Sequence, residues 1–435
     1  MKKIIAILWK PAFFLTLSVI LTGLLLSERT AQGQGTEGIL RVGVARTDIT
    51  PPMPVKLYGY SSRKNYSEGV HDRLYARVVA MENGGDRLVM ISSDLGSYSE
   101  EVFPVIRNQI LERFGLEESE LFLSTIHSHS SPILTLNSET GDPNNIRYTE
   151  LLIQKLISVT GEAFIKLHPA KIALGRGYSP VGSNRREMRS DGSIILGRNP
   201  YGPADKEVLV MKIAGTDGTP LAALFSYATH STSLGPANLQ ISGDVLGISA
   251  QFVEKILAKD VVSPVFAGAS GNIDPWYRVL PGFNEEPGWI PEPVLLGTLL
   301  GVEVVHVYRN IKEMNTAGEI RTLSETVELP RRNREGDPEG LSKTIPVRII
   351  AARVGDAAFI GFNLEMLTEI GMSIKEASPF KHTFVITHCN GASGYIPHAE
   401  LYKEGGYEVT SSRFEIGSAE TLVKRATRLL HQLSD

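Results

Sequence analysis

Cysteine is nearly absent from this chain, since Cys389 is the only one among 435 residues. One thiol cannot form a disulfide within a chain, and it cannot build a zinc site made of cysteines. Any metal that this protein binds must therefore be held by histidine, aspartate, glutamate or tyrosine side chains.

Other common signatures are also missing. The formal net charge is -4, and the chain has neither a basic stripe nor a tail rich in lysine and arginine, so we predict no nucleic-acid partner. There is no glycine-rich phosphate loop, no dinucleotide-binding fingerprint, no His-Glu-x-x-His motif and no Gly-x-Ser-x-Gly elbow. These absences argue against a nucleotide-binding enzyme, a zincin protease and a serine hydrolase of the elbow type.

One long apolar run is present, and it lies at the N-terminus. Lys2, Lys3 and Lys10 precede apolar residues 11–26, and small and polar residues follow at 27–35. This order is typical of a signal peptide, and we predict cleavage after Gly33. The alternative is an uncleaved anchor, although the run is short for a membrane span. We expect an exported protein, periplasmic or extracellular, without a stable membrane span in its mature form.

The remaining chain alternates between apolar segments of strand length and amphipathic segments of helix length. This alternation predicts an α/β or α+β fold, with residues 36–435 forming one layered domain of mixed sheet and flanking helices. Two stretches rich in proline and glycine, 197–205 and 281–293, are predicted functional loops. The predicted strands are 39–45, 74–82, 87–93, 121–126, 208–213, 222–228, 357–362 and 383–387, and the predicted helices are 100–114, 148–165, 246–257, 294–311, 366–377 and 418–433.

Two histidines, His127 and His129, directly follow the apolar strand predicted at 121–126. On an extended segment, side chains two residues apart point to the same face. Strand ends are also where ligands gather in α/β sheets. The pattern therefore predicts either two ligands of one metal, or one ligand and one residue that meets the substrate. The alternative is a polar loop with two solvated histidines.

A second histidine site has the same context, because His230 follows the apolar strand predicted at 222–228. Asp244 lies a short way on, in a turn where a carboxylate could orient a histidine or a water molecule. Residues 268–275 are mostly small and let backbone approach a ligand closely. Asn272 and Asp274 offer polar groups there, although an ordinary turn would look the same.

Two further residues complete the set of candidates. Glu365 lies where a predicted strand passes into a predicted helix, so it is either a metal ligand or a charge at a helix N-terminus. Tyr407 follows two glycines, and residues 394–397 upstream hold another tyrosine, Tyr395. Each glycine-tyrosine pattern indicates either a tyrosine held in a fixed position or a tight turn.

Together these pieces resemble the neutral/alkaline (non-lysosomal) ceramidase family, specifically its N-terminal catalytic domain. The resemblance begins at residues 48–52, passes through 71–72 and 93–94, and ends at 407–408. Its most specific part is the His-x-His-Ser run that starts at His127. In this family zinc is held by two histidines, a glutamate and a tyrosine. The resemblance therefore implies a Zn²⁺ site formed by His127, His230, Glu365 and Tyr407.

The resemblance also implies roles around the metal. His129 would face the reacting carbonyl, and Arg185, which follows Asn184, matches an arginine that contacts substrate. Asp274 stands where ceramidases carry a serine with an assigned catalytic role. Asp244 or Asp274 is expected to orient a ligand histidine or to accept a proton from water.

The expected function is that of an exported zinc hydrolase with a small-molecule or lipid-like substrate. Zinc with an open coordination position activates water for attack on an amide (N-acyl) or ester carbonyl, and His129 and Arg185 would stabilise the oxyanion. Two alternatives remain open because Asp274 replaces the serine. The same site would act on a non-sphingolipid small polar or sugar-derived substrate, or the chain would be a binding protein without catalysis.

Overall fold

Two β-sheets stacked face to face form the centre of the molecule. The computed structural model describes residues 38–276, 292–315, 318–334, 337 and 340–435. The predicted signal peptide and most of the predicted loop 281–293 lie outside these residues. The contacts of the described chain from Ile39 to Asp435 group it into one compact unit.

The larger sheet has eight strands and mixed pairing, in the order β12-β10-β9-β6-β1-β3-β4-β5. The two outermost pairs, β10–β12 and β4–β5, are parallel. The strands between them pair antiparallel. The strands are β1 Arg41–Asp48, β3 Tyr75–Asn83, β4 Asp86–Ser93, β5 Leu121–Thr125, β6 His168–Tyr178, β9 Glu207–Gly215, β10 Pro220–Tyr227 and β12 Val265–Ala267.

The smaller sheet has four strands in the order β14-β15-β16-β18, and its β16–β18 pair is parallel. Short strands form three further sheets, β11-β2, β13-β7-β8 and β17-β19. The strands of the four-stranded sheet are β14 Ile320–Pro330, β15 Thr344–Val354, β16 Ala357–Phe362 and β18 His382–Ile386. The short strands are β2 Gly69–Val70, β7 Gly182–Met188, β8 Ile194–Asn199, β11 Gln240–Ile241, β13 Ile273–Pro275, β17 Glu365–Met366 and β19 Tyr395–Ile396.

Helices cover the outer faces of both sheets. Clusters of buried side chains join α1 and α2 to one half of the large sheet, α3 and α4 to its other half, and α5 and α8 to the small sheet. The helices are α1 Phe103–Phe114, α2 Pro143–Ile165, α3 Asp244–Leu257, α4 Glu292–Asn310, α5 Thr368–Ala377, α6 Leu401–Glu404, α7 Tyr407–Ser411 and α8 Ser418–Ser434, and a 3₁₀ turn spans Glu118–Glu120.

Alternation along β15 shows how the layers share the apolar side chains. Ile350 and Ala352 pack in the core between the sheets, whereas Ile349 and Ala351 pack against the helices outside. A strand with period two supplies both faces in this way only when both are buried. The result is a helix–sheet–sheet–helix sandwich, which confirms the predicted layered α/β class with a mixed sheet.

The element boundaries follow local chemistry. Helix α2 begins before its predicted start because the Asp142 side chain accepts hydrogen bonds from the backbone N–H groups of Asn144 and Asn145, and Pro143 occupies the first turn. The predicted strands 74–82 and 87–93 are joined by a tight hairpin, in which Asn83 pairs with Asp86 in register. Within the described residues no helix has both the length and the apolar composition that crossing a membrane requires.

A candidate metal centre at the strand ends

His127 lies two residues after β5, in a left-handed backbone conformation with φ of 57°. The predicted extended conformation of this segment is therefore wrong. The Nδ1 atom of His127 lies 3.0 Å from the carbonyl oxygen of Gly96. Because a carbonyl oxygen can only accept, Nδ1 carries a proton, and in the neutral imidazole Nε2 then presents a lone pair.

His129 meets His127 despite the tight turn between them. The two Nε2 atoms lie 3.1 Å apart. The backbone N–H of His129 donates to the carbonyl oxygen of Ser231, 3.0 Å away, and Ser128 forms a β-bridge to the same residue. The loops after β5 and β10 are thus tied together, so the convergence of the imidazoles comes from tertiary pairing.

His230 is fully buried and has the same tautomer as His127. Its Nδ1 atom lies 2.7 Å from the carbonyl oxygen of Ser270 and 3.1 Å from that of Ile273. The proton is therefore on Nδ1, and Nε2 is the lone-pair atom. This Nε2 has no hydrogen-bond partner among the described residues.

Glu365 completes the converging set. It begins β17, three residues after the end of β16, and its Oε2 atom lies 3.4 Å from His127 Nε2 and 3.8 Å from His230 Nε2. Burial alone would raise the pKa of Glu365, but His127, His230 and His388 lower it well below its usual value. In its ionised form this carboxyl group offers only acceptor oxygens.

His230 Nε2 and Glu365 Oε2 lie 3.8 Å apart, and both are buried without a hydrogen-bond partner among the described residues. Such a group of buried acceptors is unfavourable unless a cation occupies their meeting point. The Glu365 oxygen lies 3.4 and 3.8 Å from the two imidazole nitrogens, and these spacings suit ligands placed about 2.0–2.2 Å from a zinc ion. The ligand atoms of His127, His129 and His230 also lie within 4.8 Å of one another. The residues present thus fit a metal ion.

Burial favours the neutral form of His129 and His230, which is the form that metal ligation requires of a histidine. Burial lowers the pKa of His129 well below its ordinary value, and the neighbouring His127 and His230 add to the effect. Burial also lowers the pKa of His230, helped by the charge of Arg185.

Two tyrosines lie near the cluster, and they differ in burial and in their pairing with Glu365. Tyr395 pairs directly with Glu365 in the parallel β17–β19 register. Its side chain is 7% exposed, whereas that of Tyr407 is 46% exposed. Burial raises the pKa of Tyr395, and the charge of Glu365 raises it further. The structure therefore places Tyr395 beside the glutamate and Tyr407 against the outer edge of the Tyr395 ring, 5.5 Å between centroids.

Arg185 is buried next to these residues and bonds to four groups, and we call this set of contacts the Arg185 hub. Its Nε donates to Glu408 at 2.9 Å, its Nη1 to Asp274 at 3.1 Å, and its Nη2 to the Tyr395 hydroxyl at 3.1 Å and to the Gly271 carbonyl at 2.7 Å. The segment 268–275 thus supplies both a carbonyl and a carboxylate to one guanidinium. Arg185 and Asp274, which were predicted separately, form an ion pair at the cluster.

Asp244 lies apart from the imidazoles. Its carboxylate accepts hydrogen bonds from the backbone N–H and hydroxyl of Ser233 and from the N–H of Leu234 and Val245. It therefore fastens the loop that follows His230 to the start of α3. The contacts of Asp244 are with this loop and with its own helix.

His388 and Tyr58 belong to the cluster but were not predicted. The His388 ring stacks on His127 with 3.9 Å between centroids and 10° between planes. Tyr58 presents its ring edge to both His127 and His129, at 5.7 and 5.6 Å. His388 follows strand β18 as the other histidines follow their strands, so the same rule would have found it. Tyr58 has no comparable signal.

A cavity of about 580 Å³ opens onto the cluster. Residues from the metal cluster and the Arg185 hub line its inner end, namely His129, Arg185, Asp274, Tyr395 and Tyr407. The predicted loop 197–205 begins in its wall, because Gly197 and Arg198 line it from strand β8.

A second cavity, of about 670 Å³, lies among Asp48, His71, Arg73 and Lys155. Its charged groups already pair with neighbours. Arg73 bonds to Asp48 at 2.6 Å, and His71 bonds to Asp72 at 2.8 Å. The first cavity is therefore the better candidate site.

Comparison with known proteins gives a consistent result. The family described as neutral/alkaline non-lysosomal ceramidase, N-terminal, matches residues 40–272. A neutral ceramidase from Oryza sativa is 27% identical over 223 residues, covering 49% of this chain and 28% of that protein. One from Pseudomonas aeruginosa is 25% identical over 259 residues, covering 56% of this chain and 38% of that protein. The matches thus span about a third of these relatives.

Solved structures share the fold over a longer stretch. The crystal structure of the Pseudomonas aeruginosa neutral ceramidase aligns with a TM-score of 0.75 at 19% identity, covering 91% of this chain and 75% of that one. A ceramidase complexed with C2 aligns with a TM-score of 0.74 at 17% identity. The shared architecture includes the region beyond residue 272, where Glu365 and Tyr395 lie.

Proposed function

Because this chain belongs to the neutral/alkaline non-lysosomal ceramidase family, we propose that it is a zinc-dependent hydrolase of amide (N-acyl) or ester bonds. The observation that carries the proposal is the meeting of His127 Nε2, His230 Nε2 and Glu365 Oε2, the last two of which are buried without a hydrogen-bond partner among the described residues. A divalent cation is the simplest partner for two neutral imidazoles and one carboxylate.

We assign His127, His230 and Glu365 as ligands, and Tyr395 in place of Tyr407 as the fourth. Tyr395 is preferred because it is the register partner of Glu365 and is buried, whereas Tyr407 is half-exposed. A zinc ion bound there would act as a Lewis acid that activates water and polarises a carbonyl. The backbone carbonyls of Gly96 and Ser270 fix the ring orientations of the two histidine ligands.

The remaining residues act on the substrate side. His129 lies between the ligands and the cavity, and its buried Nδ1 has no hydrogen-bond partner among the described residues. We propose that His129 contacts the reacting carbonyl, where one well-placed donor is worth about 3–4 kcal/mol to the transition state. Arg185 positions Asp274 and the Tyr395 hydroxyl, and Asp274 is the proposed proton acceptor. Asp244 holds the loop after His230.

Export is part of the proposal, with residues 1–33 as a cleaved signal peptide. N-terminal sequencing of protein recovered outside the cytoplasm checks it. A chain that begins near residue 34 is expected, and an intact apolar run in the membrane fraction would show an anchor instead.

Metal analysis and chelation test the function. Purified protein should contain about one zinc ion per chain, and a chelator should abolish hydrolysis of N-acyl and ester substrates until zinc is returned. His127→Ala and His230→Ala should each lose the metal. His431→Ala is the matched control, because His431 is exposed on α8. Zinc retained by both cluster variants would disprove the site.

A further inference from the structure

One wall of the cavity is built by the β7–β8 hairpin, which continues directly from Arg185. Glu187 lies on β7, and Leu196, Gly197 and Arg198 lie on β8. The Glu187 carboxylate accepts a hydrogen bond from the backbone N–H of Arg198. A Cβ atom at Gly197 would lie 2.2 Å from a Glu187 carboxylate oxygen. The glycine therefore allows this carboxylate to rest against β8 in a fixed position.

The charges that line the cavity balance one another. Asp274 is paired with Arg185 at 3.1 Å, and Glu187 and Arg198 add one negative and one positive charge on the hairpin wall. A strongly anionic or strongly cationic ligand would therefore meet a like charge as well as an opposite one.

Aliphatic surface is scarce in this cavity. Among the described residues that line it, Leu196 is the single aliphatic side chain larger than a methyl group, and it is 51% exposed. A long acyl chain binds by burying methylene groups against apolar surface, and ligand sites are usually lined mostly by such surface. This lining offers a long chain little to bury against.

Hydroxyl-bearing groups supply most of the remaining lining, from Ser61, Ser62, Thr232 and three tyrosines. A hydroxyl on a ligand both donates and accepts a hydrogen bond. It is best satisfied where groups that donate and groups that accept both line the wall, as Arg198 and Glu187 do. Tyrosine rings add flat apolar faces that suit the C–H faces of a sugar ring.

We propose that this site takes a short-chain acyl derivative of a neutral, hydroxyl-rich compound, such as an N-acylated sugar. This rests on the proposed hydrolase function and names its substrate class. In the reaction, the oxygen of water bonds to the acyl carbon, the C–N bond breaks, and a proton from water passes to the leaving nitrogen. The products are a short carboxylic acid and a free amine on the hydroxylated half.

A matched panel of substrates tests the inference. It contains N-acetyl, N-octanoyl and N-palmitoyl forms of both glucosamine and sphingosine, in the same detergent, with zinc-loaded protein and detection of the released amine. We expect kcat/KM for N-acetylglucosamine to exceed that for N-palmitoylsphingosine by at least about 100-fold, because a site built to bond hydroxyls discriminates strongly. N-palmitoylsphingosine as the best substrate would overturn the inference and leave the hydrolase function standing.

Variants of the hairpin test the wall itself. Arg198→Leu and Glu187→Gln should raise KM for N-acetylglucosamine about tenfold with kcat little changed, as expected for lost substrate binding. Arg189→Leu is the matched control, because Arg189 is exposed on the same hairpin and does not line the cavity. Equal effects of Arg198→Leu and Arg189→Leu would overturn the assignment.

Calorimetry on zinc-free protein separates this inference from the proposed function. N-acetylglucosamine should bind the zinc-free protein, and Arg198→Leu should weaken that binding. Such binding, without hydrolysis of any panel member by zinc-loaded protein, would refute the hydrolase and support the cavity assignment. Absence of sugar binding to the zinc-free protein would overturn the cavity assignment.

Discussion

The role of each tyrosine at this site depends on the groups that its hydroxyl already contacts. Tyr395 and Tyr407 are both tyrosines after a glycine, and both line the cavity. The Tyr395 hydroxyl is bonded to Arg185 at 3.1 Å, next to Glu365, whereas Tyr407 is the more exposed of the two. Their roles should therefore separate in experiments that remove only a hydroxyl group.

Replacing each tyrosine with phenylalanine removes only the hydroxyl group and so distinguishes the two roles. Tyr395→Phe is expected to weaken zinc binding about tenfold to 100-fold, the range seen when a group that supports a metal site is lost. Tyr407→Phe should leave zinc affinity unchanged and alter KM alone. Competition with a chromogenic chelator measures both affinities. The opposite ranking would return the ligand role to Tyr407.

Arg185 should matter for stability as well as for the site. Arg185→Ala leaves Asp274 without this partner and Glu408 with Arg186 alone. Removing one member of a buried ion-pair group costs about 3–5 kcal/mol, and urea unfolding of the zinc-free protein measures the loss. Arg189→Ala, an exposed change on the same hairpin, should cost no more than about 0.5 kcal/mol. Equal losses of stability in Arg185→Ala and Arg189→Ala would contradict the stabilising role of the Arg185 contacts.

At the scale of elements, the cluster is assembled where strands end and loops turn sharply. Strands β5, β10, β16 and β18 lead to His127, His230, Glu365 and His388, respectively. His127 and His388 both have left-handed backbone, with φ of 57° and 51°. Such strained conformations persist where the surrounding structure fixes them. The loop that carries Tyr58 and Gly59 closes the cluster from another side.

A substitution at Gly59 tests how closely this loop must approach His129. Its φ is +100°, and a Cβ atom there would lie 2.3 Å from the His129 ring. Gly59→Ala should push His129 aside and reduce kcat/KM on the order of 100-fold, the effect of a misplacement of about 1 Å. Gly85 is the matched control, with φ of +107° and no neighbour within 4 Å. Gly85→Ala should lose stability only, and an equal loss of activity would refute the contact.

At the scale of the whole molecule, several titratable groups are buried at one point. Burial lowers the pKa values of His129, His230 and His388. An unfolded chain takes up protons on these residues as pH falls below about 6.5, whereas the folded, metal-free chain keeps them neutral. The unfolded state then binds more protons, so stability declines as pH falls.

The zinc-free protein should therefore lose stability between pH 8 and pH 5.5. Each histidine contributes up to about 1.4 kcal/mol per pH unit below its unfolded pKa. Glu365 does not contribute in this range, because its lowered pKa matters only below its ordinary value of 4.5. Urea unfolding at the two pH values measures the change. His388→Gln should reduce this loss of stability, and the control His431→Gln should not. An unchanged loss of stability in His388→Gln would contradict the role of the buried histidines.

Local sequence patterns were sufficient to predict most of the strands and helices that enclose the core. The apolar strands and amphipathic helices near β3, β4, β5, β9, β10, α1 and α3 follow from periodicity, which depends only on neighbouring residues. Strands β6, β8 and β14 were missed because their side chains are largely exposed or half-exposed. A strand of that kind carries little hydrophobic signal.

The sequence by itself determined the class of fold and the candidate residues His127, His230 and Glu365, because each follows an apolar strand within a few residues. Only the tertiary structure decided which tyrosine lies beside Glu365, since that depends on the β17–β19 register. It also decided that Arg185 and Asp274 are partners and that His388 stacks on His127. These contacts join residues far apart in the chain, and strand pairing between distant segments leaves no local pattern to read.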